Sequence, residues 1–352
     1  MRFVTVLLIF VPVSIVGSLL HWDHRLVFFA AALGIVPLAW VLGKATEELA
    51  AHTGPRVGGL LNATLGNAAE LIITVFAIRE GLLELVKASI TGSIVGNILL
   101  VLGLAVLVGG LRHGTQCFER SEAGLHATMM VLAIIALIIP SIFGHAIEIE
   151  DHAAVEWLSL GVAVVMIGIY VLSLIYSFVS AGGGTLSEGH AEAVWSLPKA
   201  AVTLAIAAIF VAWLSEVLVS TAEPVIESLG ITEFFLGVIL IPLVGNVAEH
   251  LVAVQTAWKN DMNLSLAISF GSSMQIALFV APLLVFISLA MGHPLTLIFN
   301  QFELLALAAA AGIAAIIALD GESNWLEGAQ LLAVYAIVAL AFFFLPTTGS
   351  GF

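Results

Sequence analysis

The chain has 352 residues, 61% of them hydrophobic and only 10% charged, with a mean hydropathy of +1.16 and a net charge of −14. Soluble domains carry roughly 45–50% apolar and about 25% charged residues, so a soluble globule is excluded. With 10 Lys+Arg against 24 Asp+Glu no basic surface is available for nucleic acid; the single Cys117 cannot form an internal disulfide, and no Cys/His cluster has zinc spacing.

Apolar runs of about 18 residues or more recur along nearly the whole length. In chain order, eleven segments predict membrane spans: 3–21, 25–50, 56–79, 83–109, 123–144, 153–180, 198–229, 232–258, 263–291, 295–318 and 325–346. The first also has the outline of a secretory signal, with Arg2 ahead of an apolar core and small residues at Gly17 and Ser18. Membrane helices follow it at once, so a retained helix is preferred. On the N-terminal side of the predicted spans fall Arg2, Lys44, Arg56, Arg112, Arg120, Lys199 and Lys259; on the other side fall Arg25, Arg79 and Lys87. The positive-inside rule then places the N-terminus in the cytoplasm and, with an odd number of spans, the C-terminus outside.

Between segments six and seven the stretch SAGGGTLSEGHAEAVW, Ser180 to Trp195, is Gly-rich and polar. It predicts a flexible cytoplasmic linker over 182–196. A plain connector is the preferred reading, with Glu188, His190 and Glu192 as the groups that could sense ions.

The two halves on either side share a motif. Gly66-Asn67-x-Ala69-Glu70 recurs as Gly245-Asn246-x-Ala248-Glu249, an offset of 249 − 70 = 179. Without gaps the same offset pairs Val75 with Val254, Leu85 with Leu264, Ala88 with Ala267, and Gly92-Ser93 with Gly271-Ser272. The chain therefore reads as a duplication: an extra N-terminal helix (1–22), a five-helix repeat (23–181), the linker, and a second five-helix repeat (197–352). An odd number of helices per copy forces the second copy to insert upside down. Inverted repeats are a plan of secondary transporters, with the substrate site near the midplane.

Asn67 to Glu70 is an i, i+3 step that puts amide and carboxylate on one helix face, and Asn246 and Glu249 repeat it. A carboxylate at mid-bilayer costs about 2.5–3.5 kcal/mol, which marks it as a functional candidate. Gly66 and Gly245 permit close helix approach or local loosening that frees backbone carbonyls. Two carboxylates, two amides and several carbonyls make an all-oxygen, doubly negative site suited to a hard divalent cation, Ca²⁺ before Mg²⁺. Apolar surroundings and mutual repulsion also disfavour the empty, doubly ionised pair. One site that holds either protons or the cation gives antiport directly. In the alternative reading both acids are structural, bonded to backbone or to a buried base, but no Lys or Arg lies in the middle of a span to neutralise them.

Ser93, Ser272, Ser273, Gln275 and Asn97 follow or adjoin the second shared motif. They are candidates to complete the site, with helix–helix glue as an equal alternative. Glu47 and Glu48 late in segment two, and Glu216, Glu223 and Glu227 along segment seven with Pro224 ready to kink it, are candidates to line cation paths. Glu216 and Glu223 carry that expectation foremost and Glu48 shares it, with solvated helix ends as the alternative for Glu47 and Glu48; His250 is a neighbour that could tune Glu249, with packing as an equal alternative. The acidic run Gly144 to Glu156 reads as a solvated outer loop.

At GNAAELIITVFAIREG with GSIVGNILLVLG, and at GNVAEH with SFGSSMQIALFVAP, the chain resembles the cation/proton exchanger branch of the calcium/cation antiporter superfamily. The resemblance covers essentially everything past segment one. The Gly-Thr-Ser…Pro-Glu pattern of that superfamily's sodium/calcium exchangers is in neither copy. The resemblance implies a ten-helix inverted-repeat core plus one helix, Ca²⁺:H⁺ antiport with Glu70 and Glu249 as shared ligands, and sliding of segments two and seven. The acidic stretch that links the halves in many relatives is reduced here to Glu188 and Glu192.

The expectation is thus an all-α polytopic membrane protein that exports Ca²⁺ against inward H⁺, in a prokaryotic inner membrane. Its substrates would be Ca²⁺ and H⁺, with no organic cofactor, the lipid bilayer as surroundings and homo-oligomerisation left open. Exchange driven by Na⁺ or transport of Mn²⁺ or another divalent ion is the nearest rival, then a cation channel. An intramembrane enzyme is disfavoured, since HExxH and GxSxG are both missing.

Overall fold

In lipid every backbone N–H and C=O must be satisfied within the chain, which leaves helices as the main solution for a sequence of this kind. The computed structural model describes residues 5–148, 152–180 and 193–345. A short apolar helix α1 (Phe10–Leu19) is followed by α2 (His24–Leu65), α3 (Ala68–Arg79), α4 (Leu83–His113), α5 (Arg120–Glu148) and α6 (His152–Ser180). The second half has α7 (Leu197–Ser220), α8 (Ala222–Leu229), α9 (Glu233–Gly245), α10 (Val247–Trp258), α11 (Met262–Met291), α12 (Gln301–Asp320) and α13 (Trp325–Phe343).

Helix α2 is not a straight rod. A Cβ on Gly58 would lie 2.6 Å from the Ala50 carbonyl oxygen, whereas eight residues of straight helix span about 12 Å. The chain turns back between the first limb, His24–Thr53, and the second, 54–65. That second limb and α3 together make the predicted third segment, broken at Gly66-Asn67. In the second half α9 and α10 make the eighth segment, broken at Asn246.

Among the described residues eight helices are long and apolar enough to cross a membrane, or nine if the pair α8 and α9, bent by 115°, is taken as one span. The three predicted segments outside those eight are the first, which is a shorter apolar helix (Leu7–Leu19), and the third and eighth, each divided at the shared motif. At the bend between α8 and α9, Gly230 adopts φ 64°, a left-handed conformation that a side chain disfavours.

The tenth segment departs from expectation. Residues 293–300, predicted in part as helix, are irregular, yet Leu295, Leu297 and Phe299 are buried. Side chains satisfy this backbone: Ser288 accepts from Leu295 N–H, Ser159 from Leu297 N–H and Ser141 from Phe299 N–H, while Lys87 donates to the Ile298 carbonyl. Irregular backbone at membrane depth persists only with such partners. Helix α12 then begins in a capping box, Asn300 with Glu303. A two-residue ladder, β1 (Gln116–Cys117) with β2 (Glu322–Ser323), joins the halves antiparallel.

The first limb of α2 packs along α7, so the first long helix of each half lies against the other. Helices α4 and α9 approach closely: a Cβ on Gly92 would fall 2.1 Å from the Val238 carbonyl oxygen, and one on Gly237 would fall 2.6 Å from Ala88 Cβ. Small residues at such crossings let backbones meet where lipid supplies no hydrophobic drive. The linker 182–196 lies outside the described residues up to 192, as do Glu188, His190 and Glu192; of the acidic loop, residues 149–151 are likewise outside them.

Candidate cation site

Asn67 and Asn246 sit at the helix breaks with near-identical backbone, φ −95°, ψ 21° and φ −106°, ψ 14°. Each break starts a new helix, and Glu70 and Glu249 occupy the first turns of α3 and α10. A carboxylate in a helix's first turn is favoured by the positive end of the helix dipole, which offsets part of its desolvation cost. The i, i+3 spacing read from sequence therefore straddles a cap rather than running along one continuous helix.

The two acids come together across the halves. Glu70 is fully buried and within Coulombic reach of Glu249. Ser93 donates to Glu70 Oε1, and Asn246 Nδ2 donates to Ser93 Oγ at 3.1 Å. On the other side Asn67 Nδ2 donates to Gln275 Oε1 at 2.9 Å, Asn97 Nδ2 donates to Ser272 Oγ at 2.9 Å, and Ser272 reaches Asn67 Oδ1 at 3.4 Å. The second oxygen of each acid, Glu70 Oε2 and Glu249 Oε2, is buried without a hydrogen-bond partner. Two such buried oxygens are costly unless a cation or protons satisfy them. Among the described residues no three His, Cys, Asp or Glu converge on a metal-binding point, so a cation here would rest on the two carboxylates plus neutral oxygens. Helices α4 and α11 each open into a wide π-turn beside the site, at Gly96–Val101 and Ile276–Val280, a distortion common at functional positions.

The two acids differ in exposure. Among the described residues a cavity of about 450 Å³ is lined by Glu249, Gly66, Ser272, Gln275, Asn62 and, toward the end of the first limb of α2, Lys44 and Glu47. Glu70 is outside that wall and fully buried, at 0% exposure.

Of the residues expected to complete the site, Ser93, Ser272, Asn97 and Gln275 join the network. Ser273 does not: its hydroxyl donates to the Ser269 carbonyl of its own helix. The path residues also fall differently. Glu48 is buried, its Oε2 accepting the Val194 and Trp195 N–H groups, so it anchors the start of the second half while Glu47 faces the cavity. Glu216 is ion-paired with Arg79 at 3.2 Å, and Glu223 is exposed at the start of α8. His250 adjoins Glu249 but is not part of the cavity wall.

Two charged residues escaped the sequence reading. Glu303 is fully buried between α12 and α4, accepting from Thr91 at 3.1 Å and from Asn300 N–H at 2.9 Å; the Asn-x-x-Glu capping-box spacing signals it. Lys44 lines the cavity, and the signal there is its i, i+3 and i, i+4 spacing to Glu47 and Glu48.

The chain is similar to known proteins over nearly its whole length. The family model described as sodium/calcium exchanger protein matches residues 24–179 and 199–344. The Ca²⁺/H⁺ antiporter of Aphanothece halophytica is 46% identical over 97% of this chain and 96% of its own, and Ca²⁺/H⁺ antiporter ChaA of Bacillus subtilis is 43% identical over 95% and 97%. The solved structure of native YfkE superposes with a TM-score of 0.87 at 41% identity, covering 97% of this chain and all of that one. An H⁺/Ca²⁺ exchanger CAX structure shares the fold at a TM-score of 0.76 and 16% identity.

Proposed function

The chain belongs to the sodium/calcium exchanger protein family, and we propose that it works as a secondary-active antiporter exchanging Ca²⁺ for H⁺ across a membrane by alternating access. The observation that carries this is the pair Glu70 and Glu249, brought together from the two halves, each with one buried, unpartnered carboxylate oxygen. With protons bound the pair is neutral and stable in an apolar setting; with Ca²⁺ bound its two charges are balanced. Empty, it is neither, which couples release of one substrate to uptake of the other. Relatives at 43–46% identity that carry the name Ca²⁺/H⁺ antiporter support the same reading.

Asn67, Asn246, Ser93, Ser272, Asn97 and Gln275 would orient the acids and supply neutral oxygens. The half-cavity at Glu249 and the sealed face at Glu70 fit one of two access states, and the packing of α2 along α7 supplies the pair of helices that would slide between them. Eleven spans in two inverted halves, with the N-terminus cytoplasmic in a prokaryotic inner membrane, fit the matched breaks at Asn67 and Asn246 and the lysine and arginine bias. The protein is an integral membrane protein of a transporter family, and no enzymatic chemistry is needed to explain its site.

Purified protein in liposomes should take up radiolabelled Ca²⁺ when a pH gradient is imposed with no Na⁺ present. Uptake that strictly required Na⁺, or flux indifferent to the pH gradient, would overturn the proposal.

A further inference from the structure

The cavity that leads to Glu249 contains a positive charge, an odd feature in the path of a divalent cation. Among the described residues Lys44, Glu47 and Glu249 are the charged residues of its wall. Lys44 Nζ lies 3.3 Å from Glu47 Oε2 and 3.3 Å from Glu48 Oε1. Glu48 is itself held, buried, by the Val194 and Trp195 N–H groups at 2.8 and 2.9 Å. The ammonium is therefore moored at a fixed place in the cavity wall rather than swinging freely in water.

The second half answers with the opposite charge. Applying the repeat offset, 44 + 179 = 223, so the counterpart of Lys44 is Glu223, and that of Glu48 is Glu227. The two halves thus differ in sign at a position equivalent by the repeat offset.

We propose that Lys44 is a fixed counter-charge that weakens loading of Ca²⁺ into the site from the cavity side, more than it weakens binding of any single monovalent cation. This rests on the antiport reading and adds the residue that makes the two sides unequal. The argument is Coulombic. A unit charge repels a divalent ion with twice the energy it exerts on a monovalent ion at the same place. Whatever factor Lys44 takes from the binding of one proton, it takes the square of that factor from the binding of Ca²⁺. Glu47, half-exposed beside it, is partly neutralised by the same ammonium and attracts cations less than a free carboxylate would.

The test uses the whole 352-residue chain in liposomes, with Lys44→Met, which keeps most of the length of the side chain and removes the charge, and Lys44→Arg, which keeps the charge. For Lys44→Met the KM for Ca²⁺ from the cavity side should fall by about threefold to tenfold at low salt, with the maximal rate little changed. Proton inhibition measured from the same side should strengthen by about the square root of that factor. Lys44→Arg should resemble the unaltered protein, added salt should shrink the difference, and the opposite side should not respond. An unchanged KM, equal shifts for Ca²⁺ and H⁺, an effect on maximal rate alone, or Lys44→Arg behaving as Lys44→Met would each overturn the proposal. Calorimetric titration with Ca²⁺ in detergent reads the same affinity change without transport. Tighter binding by Lys44→Met there, in a protein that showed no proton-driven uptake, would uphold the role of Lys44 while ending the antiport reading.

Discussion

Gly245 makes the room that Glu70 occupies: a Cβ at Gly245 would lie 3.4 Å from Glu70 Cβ and 3.5 Å from its Cα. The relation is reciprocal, since a Cβ at Gly66 would lie 3.4 Å from Glu249 Oε1. Each half's glycine seats the other half's acid. At Gly245 a methyl group fits at van der Waals contact but a branched side chain does not, whereas at Gly66 a Cβ would already lie 2.6 Å from the Asn62 carbonyl oxygen. Gly245→Ala should keep measurable uptake, whereas Gly245→Val should displace Glu70 and lose it, with folding checked by detergent gel filtration.

Replacing either acid by its amide tests the charge alone. Glu70→Gln and Glu249→Gln keep shape and some hydrogen bonding but leave one negative charge for a divalent ion. Ca²⁺ uptake driven by a pH gradient should drop to background in both, with thermal stability equal to or above that of the unaltered protein, because an uncompensated buried charge has been removed. Normal transport by either variant would remove that residue from the site.

Protons and Ca²⁺ competing for one pair of carboxylates predict a definite sign. As pH falls on the side from which Ca²⁺ loads, the protonated fraction of the pair rises. The apparent KM for Ca²⁺ should therefore rise while the maximal rate at saturating Ca²⁺ stays level. Initial rates over a range of Ca²⁺ at several external pH values check it; a falling maximal rate at constant KM would argue for a separate proton site.

Gly92 and Gly271 are partners by the repeat offset, yet their surroundings differ. Gly92 is pressed on Val238, while a Cβ at Gly271 would meet nothing within 4 Å. Gly92→Ala should destabilise the protein by about 1–3 kcal/mol, visible as a lowered unfolding temperature. Gly271→Ala should leave that temperature unchanged but slow transport, because switching access would require the tight approach to form on its side instead.

Glu303 gives a contrasting outcome. Its carboxylate closes the cap of α12 and accepts from Thr91. Glu303→Ala leaves two buried donors unpaired, at about 1–3 kcal/mol each, so the unfolding temperature should fall. The KM for Ca²⁺ should hold in the folded fraction. A variant of normal stability that no longer transports would instead make Glu303 part of a proton path.

Much of this was legible from residue order. The paired Gly-Asn-x-x-Glu motifs at Glu70 and Glu249 stood out because a carboxylate in an apolar run needs a reason, and two in register need a shared one. The serines and amides of the second motif were named as a set, but only contacts could sort them: Ser93 turns to Glu70, whereas Ser273 turns to its own helix. Glu48 read as a path residue because the Val194 and Trp195 N–H groups that claim it lie across the fold. Residues 295–300 read as part of a helical span because an apolar run has no period that reveals irregular backbone satisfied by distant serines.

Residue order by itself determined the membrane class and pointed to a duplication and to the two acids, since hydropathy, periodicity and the cost of a buried charge are local properties of the chain. Only the tertiary structure decided where the helices break, which hydroxyls reach which carboxylate, and that Lys44 and Glu249 share a cavity. Those depend on distances between residues far apart in sequence, which packing alone sets.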